Sequence, residues 1–295
     1  MAERRHGPTT RRLIQVYTAL LYNAHLKGFA EGEIYTGPLK SLCVPGLNCY
    51  SCPGAVAACP LGALQNAVAA SADRPAFYVV GLLLLFGLLL GRVVCGFLCP
   101  FGLLQELLHK IPTKKIQKSP LTRKLSRVKY AVLAVFVLAI PAWFALRRLP
   151  LPGFCKFICP AGTLEGAVLL LLHPDNGALR GLAGGLFWWK FFLLILILSA
   201  CVFLFRAFCR FLCPLGALYG LFSRLALLGV KVDPARCTDC GACLRLCPTD
   251  IRAVGDSECV HCGQCIDRCP AKAISFRAGK IVLRGPDWPE RGPRP

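Results

Sequence analysis

Apolar residues in this chain gather in long blocks instead of alternating with polar ones, and basic residues fill the gaps between the blocks. Runs with almost no charge cover residues 76–94, 130–146 and 186–205. Each approaches the roughly 20 residues that a helix needs to cross a hydrocarbon core about 30 Å thick. A fourth run, 13–29, is interrupted by Gln15, Asn23, His25 and Lys27. It reads either as a further span or as an amphipathic helix lying on a surface. The pattern predicts a mainly α, integral membrane fold with about four transmembrane helices. No positively charged stretch, apolar core and small-residue cleavage site occur in that order near residue 1, so no cleaved signal peptide is expected.

Charge refines this picture. The 295 residues are 55% hydrophobic yet carry a formal charge of +20. No acidic residue lies between Glu106 and Glu165, and that stretch holds Lys110, Lys114, Lys115, Lys118, Arg123, Lys124, Arg127 and Lys129. Such an excess in a short loop between apolar runs marks a cytoplasmic loop and suits anionic membrane lipid better than nucleic acid. Arg4, Arg5, Arg11 and Arg12 mark the first residues in the same way. An alternating path follows, with both ends and the Lys-rich loop on the cytoplasmic side of an inner membrane. Cys43–Cys59 and Cys155–Cys159 then fall on the outer side.

The apolar part contains a repeat. Arg92-Val-Val-Cys95-Gly-Phe-Leu-Cys99-Pro-Phe-Gly102 and Arg206-Ala-Phe-Cys209-Arg-Phe-Leu-Cys213-Pro-Leu-Gly216 share R-x-x-C-x-F-L-C-P-x-G. Looser copies are Cys155-x3-Cys159-Pro-Ala-Gly162 and Cys59-Pro-Leu-Gly62. The chain therefore divides into two similar halves over 1–228. Cysteines at i and i+4 share a helix face, the Pro disfavours helical geometry at the Cys before it, and the Gly permits a turn. Backbone N–H groups at the opened helix end can then face an anionic centre. Cys95, Cys99, Cys209 and Cys213 make four thiolates for an inner site. An outer site would draw on Cys52, Cys59, Cys155 and Cys159, with Cys49 and Cys43 as alternatives. The rival readings are thiols packed as small apolar residues and a disulfide for the surplus outer pair. Cys201 reads as packing.

Residues 229–283 carry C-x2-C-x2-C-x3-C-P twice, at Cys237/Cys240/Cys243/Cys247 and Cys259/Cys262/Cys265/Cys269. This is the run that holds [4Fe–4S] clusters, the fourth Cys of each run serving the other cluster. One cluster would take Cys237, Cys240, Cys243 and Cys269, and the other Cys259, Cys262, Cys265 and Cys247. Zinc, which usually takes separated pairs, and a disulfide framework are weaker fits. A small α+β, two-cluster, cytoplasmic domain is expected here, with residues 284–295 an unstructured tail. One or two further [4Fe–4S] clusters would sit in the membrane part.

Absences narrow the chemistry. No C-x-x-C-H, no Met other than Met1, no Rossmann fingerprint and no P-loop occur, so neither haem nor a nucleotide is expected. Asn23, His25 and Glu165 are polar groups in apolar surroundings and could serve a quinone. Interfacial placement of His25 and helix capping by Glu165 are the stronger readings. Gly87-x3-Gly91 permits close helix packing, and Trp188, Trp189 and Lys190 read as an interfacial anchor. Arg92, Arg206 and Arg210 would favour reduced clusters and help dock an acidic ferredoxin.

On the two C-x3-C-P elements and the paired ferredoxin runs, the chain resembles the membrane-bound ferredoxin-type proteins of the NapH, NosR and CcoG (FixG) kind. The resemblance implies four transmembrane helices, both termini in the cytoplasm, and electron exchange with the quinone pool or a cytoplasmic donor. Its departure from the NapH pattern is the added outer cysteine set. The expected function is an integral membrane electron carrier, the electron-transfer component of an oxidoreductase system. It would connect a cytoplasmic ferredoxin-like or flavoprotein partner to a quinone or an extracytoplasmic redox protein. An accessory reductase of metal ions or thiols for another enzyme, and a quinol dehydrogenase subunit, are the alternatives.

Overall fold

A computed structural model of the protein describes residues 8–69 and 77–285. Among the described residues, two helices are long and apolar enough to cross a membrane, Pro120–Leu146 and Gly185–Phe203. Phe77–Leu89 and Gly162–Leu172 are apolar but shorter. At 1.5 Å per residue the 13 residues of Phe77–Leu89 extend about 20 Å, less than a full hydrocarbon core. Pro141 lacks an N–H, and the widened turn at Leu133–Ala139 lies just before it in the longest helix.

The run 13–29 is not one helix. Pro8–Tyr22 ends where the Asn23 side chain bonds back to Ala19 O at 3.0 Å, and a separate turn of helix, Leu26–Glu31, follows. The 8–22 helix is amphipathic in an inverted sense. Arg11, Gln15, Thr18 and Tyr22 form its buried stripe, while Leu13, Tyr17 and Leu20 are more than 60% exposed. Polar groups inward and apolar groups outward is the arrangement an apolar surrounding favours. Gly185–Phe203 shows the same preference, with Leu194, Ile197 and Cys201 buried while Trp188, Phe192 and Leu196 face out.

One core joins the halves, built around Leu47, Leu61, Phe101, Phe154, Phe208, Leu215 and Tyr219. Gly87 and Gly91 lie against Phe222 and Ala226 within the chain, so this glycine pair serves internal packing. After the helix Pro214–Phe222 the chain enters a small antiparallel sheet of β1 (Leu228–Val232), β2 (Ile274–Ala278) and β3 (Ile281–Arg284), in the order β1-β2-β3. Arg284, expected to open an unstructured tail, instead ends β3 and pairs with Asp267 at 2.8 Å. The remainder of that tail, from residue 286, and Arg4 and Arg5 lie outside the described residues, as does Ala76.

Candidate metal centres

Cys99 and Cys213 cap the helices Pro100–Leu108 and Pro214–Phe222, and Cys59 directly precedes Pro60–Ala69. Pro in the first helical turn has no N–H to leave orphaned, and the amide of the Gly three residues after the Cys is among the first-turn donors left to seek a partner. Gly162 N–H donates to Cys159 Sγ and Gly216 N–H to Cys213 Sγ, both at 3.3 Å. Gly62 and Gly102 serve Cys59 and Cys99 likewise. The repeated Cys-Pro-x-Gly thus aims one helix-end amide at each of these four sulfurs.

Cys95, Cys99, Cys209 and Cys213 come together, each within electrostatic reach of the others. Arg92 and Arg206 are fully buried beside them. Glu106 anchors Arg206 at 2.7 Å and Arg11 at 2.6 Å. Gln105 donates to Cys209 Sγ at 3.0 Å. Cys201, buried in its helix, contacts Gln105. Burial corrects one expectation: Arg92, Arg206 and Arg210 cannot meet a soluble partner. Arg210 pairs with Asp250 instead, and Arg92 bonds to Ser257 O and Glu258. Both grip the C-terminal domain of the same chain.

The outer cysteines form a second set of different membership. Cys49, Cys59, Cys155 and Cys159 face one another and line a cavity of 570 Å³ with Cys43 at its edge. Cys52 does not join them. Its thiol turns to Asn23 Oδ1 at 3.4 Å, because Asn23 also bonds Asn48 and fixes the loop with Cys49 pointing inward. Glu165 Oε2 accepts from Cys49 N at 2.7 Å, and His25 faces Pro53 O at 3.2 Å. All three quinone candidates therefore hold the 48–54 loop. Buried Lys40 bonds Ala55 O at 2.6 Å over the Tyr50 ring, and Lys190, expected as an anchor, reaches Cys155 O at 3.1 Å.

The inner and outer sets are neighbours, closer together than the alternating path across a membrane suggested. The Leu47 amide serves Cys99 and the very next amide, Asn48, serves Cys59. Two hydrogen bonds on adjacent residues put these sulfurs within about 11 Å of each other. Fully buried Tyr219 lies beside Cys59, Cys95 and Cys99 and donates to Pro45 O at 2.9 Å. Sequence patterning could not show this, since the 45–48 loop inserts between helix ends.

In the C-terminal domain Cys247 sits with Cys259, Cys262 and Cys265, and Cys269 and Cys237 with Cys243. The fourth Cys of each run thus lies beside cysteines of the other run. Asp239 and His261 share the same left-handed conformation, as do Gly241 and Gly263 one residue past the next Cys. Alternating hands of this kind turn successive N–H groups into an anion-binding nest. Burial, with Arg92 and Lys231 nearby, pushes the His261 pKa down to about 4, and its neutral ring accepts from Val230 N at 2.9 Å. Cys240 is exposed, its pKa lowered by the Ala242 amide. Lys118 and Arg123 from the 118–125 segment and Arg245 and Arg252 from the C-terminal domain line a shallow depression between the two. Lys129, expected in a lipid-facing loop, is instead fully buried on Glu258 at 2.6 Å. Gly96 permits the contact between the two parts, because a Cβ there would overlap Val260 O.

Among the described residues, no three His, Cys, Asp or Glu side chains close tightly enough to hold a single metal ion. A cubane spreads its thiolates over the corners of a cube, so wider sets suit it. Buried donors without a protein partner fit an anionic group as well: Arg92 Nε, Arg210 Nε and Asn48 Nδ2. The sequence repeat, extended to the sixth residue after each Cys-Pro cysteine, would also have singled out Gln65, Gln105, Glu165 and Tyr219.

Comparison with known proteins agrees. A 4Fe-4S binding domain matches three times, at residues 75–119, 130–174 and 185–233, and a second 4Fe-4S binding domain at 230–252 and 254–275. The three copies coincide with Cys95/Cys99, Cys155/Cys159 and Cys209/Cys213. The uncharacterized protein MJ0750 of Methanocaldococcus jannaschii is 31% identical over 56% of the chain and 62% of its own length. The putative electron transport protein YccM of Escherichia coli is 28% identical over 60% and 48%. The methylamine utilization ferredoxin-type protein MauN of Paracoccus denitrificans is 34% identical over 58% and 54%. The chain thus spans between about half and three-fifths of the length of these relatives. No solved structure matches.

Cysteine sets, basic surroundings and matching domains together define a protein built of 4Fe-4S binding domains. Proteins named NosR and NapH match the chain too. It is a NapH/NosR-like, ferredoxin-type protein.

Proposed function

We propose that the chain is a multi-pass membrane relay holding four [4Fe–4S] clusters, with the C-terminal domain in the cytoplasm. The ligands would be Cys237/Cys240/Cys243/Cys269, Cys247/Cys259/Cys262/Cys265, Cys95/Cys99/Cys209/Cys213 and Cys49/Cys59/Cys155/Cys159. Bound there, the clusters supply one-electron oxidation and reduction. The carrying observation is continuity. Exposed Cys240 opens one end, Gly96 against Val260 joins the C-terminal domain to the inner set, and Leu47–Asn48 with Tyr219 join inner to outer. Arg92 and Arg206 offset negative charge in the dry interior. The inverted helix 8–22 and the outward apolar face of 185–203 support placement in lipid.

At the cytoplasmic end, the basic depression beside the exposed cluster loop suits an acidic one-electron donor or acceptor. At the other end, the outer cavity would face an extracytoplasmic redox protein. Metal analysis of the purified full chain tests the reading, with about 16 iron atoms expected for four cubanes. Cys95→Ser and Cys155→Ser should each remove one reduced-cluster EPR signal. An iron count near half of that, with both variants unchanged, refutes the membrane centres.

A further inference from the structure

The position six residues after each Cys-Pro cysteine is Gln65, Gln105, Glu165 or Tyr219. Gln65 and Gln105 are both fully buried. Gln65 Nε2 donates to Cys155 Sγ at 3.1 Å, while its Oε1 accepts from Phe154 N at 2.8 Å and Cys155 N at 3.4 Å. Gln105 Nε2 donates to Cys209 Sγ at 3.0 Å, and its Oε1 accepts from Cys209 N at 3.4 Å. Backbone N–H groups can only donate, so each amide oxygen must face them and each NH2 must face the sulfur. Every glutamine stands on one half of its site and grips the first cysteine of the Cys-x3-Cys pair from the other half. Glu165 and Tyr219 turn instead to Cys49 N and Pro45 O.

We infer that Gln65 and Gln105 are equivalent positioning residues, each donating an amide N–H to one ligand sulfur and so raising the electron affinity of the outer and inner centre respectively. The inference rests on the cluster reading above. Reduction adds one negative charge, partly carried by the ligand sulfurs, and a donor aimed at such a sulfur stabilises the reduced state more than the oxidised one. A glutamine does this without bringing a charge of its own into the core. Its oxygen keeps two chain segments in register while its nitrogen faces the sulfur.

The test is an EPR-monitored redox titration of the full chain in detergent, with iron counted in parallel. Cys95→Ser and Cys155→Ser first assign the inner and outer signals. Gln105→Glu and Gln65→Glu keep the oxygen that accepts from the backbone but remove the donor to sulfur. Gln105→Leu and Gln65→Leu remove both. Full iron and a lower midpoint potential are expected in the Glu variants, confined to the inner signal for Gln105 and the outer for Gln65. The expected size is about a tenfold fall in the reduced-to-oxidised ratio at fixed potential, ~59 mV for one electron. Iron loss in the Leu variants alone leaves that support intact. Unchanged potentials at full iron, or iron loss in the Glu variants too, overturn the inference while the clusters stand. Wild-type protein with only the C-terminal signals overturns the cluster reading itself.

Discussion

Gly96 lies so close to the carbonyl oxygen of Val260 that no side chain fits between them. Gly96 stands between the inner cysteines Cys95 and Cys99, and Val260 follows Cys259 in the second ferredoxin run. This approach is one of several contacts, with those of Arg92, Lys129 and Arg210, that hold the C-terminal domain against the helical part. The equivalent position in the second repeat is Arg210, which holds Asp250 of the same domain.

Gly96→Ala should therefore push the domains apart. Overpacking costs about 1–3 kcal/mol, read as a lower Tm and faster proteolysis of the segment around residues 224–236. A Tm within error of the wild type, with unaltered cleavage, would show that the contact gives way cheaply.

Cys49→Ser and Cys52→Ser separate the outer ligand set cleanly. The first should lose one cluster's iron, about a quarter of the total, and the second should lose none. The reverse pattern would restore Cys52 as the ligand and make its contact with Asn23 incidental.

Glu106 is the common partner of two buried guanidiniums, Arg11 and Arg206. Glu106→Ala leaves both without their counter-charge, and breaking a buried pair costs about 3–5 kcal/mol. Thermal unfolding in detergent should show that loss. A cost below about 1 kcal/mol would mean that water or the cluster takes over the carboxylate's role.

Arg245→Glu combined with Arg252→Glu cancels the positive charge of the depression beside Cys240, since Lys118 and Arg123 remain. Stopped-flow reduction by an acidic ferredoxin should slow about tenfold and lose its dependence on salt. A rate indifferent to both substitutions and ionic strength would place electron entry elsewhere.

How much of this was legible in the residues differs from element to element. The crossed pairing of Cys247 with the second ferredoxin run follows from spacing, because short runs on tight loops constrain their own geometry. The inner set was legible too, since two repeat copies in register ask to be paired. The outer set was legible only to the level of six candidates. Cys49 and Cys52 differ by less than one turn, and the choice between them falls to Asn23 and Glu165, both distant in sequence. Gln65 and Gln105 were visible in the repeat register, but their contacts with Cys155 and Cys209 cross 90 and 104 residues.

The sequence by itself determined the chemistry: cysteine spacing selects cubane clusters, and blocks of apolar residues separated by lysine and arginine form helices, two of them long and apolar enough to cross a membrane among the described residues. Only the tertiary structure decided what the charges and loops do. Arg92, Arg210 and Lys129 became internal clasps because burial leaves a cation no stable option but a partner, and the nearest carboxylates belong to the C-terminal domain. The 45–48 loop became the link between two cysteine sets because its consecutive amides, lacking a helix or strand to satisfy them, turned to the sulfurs on either side.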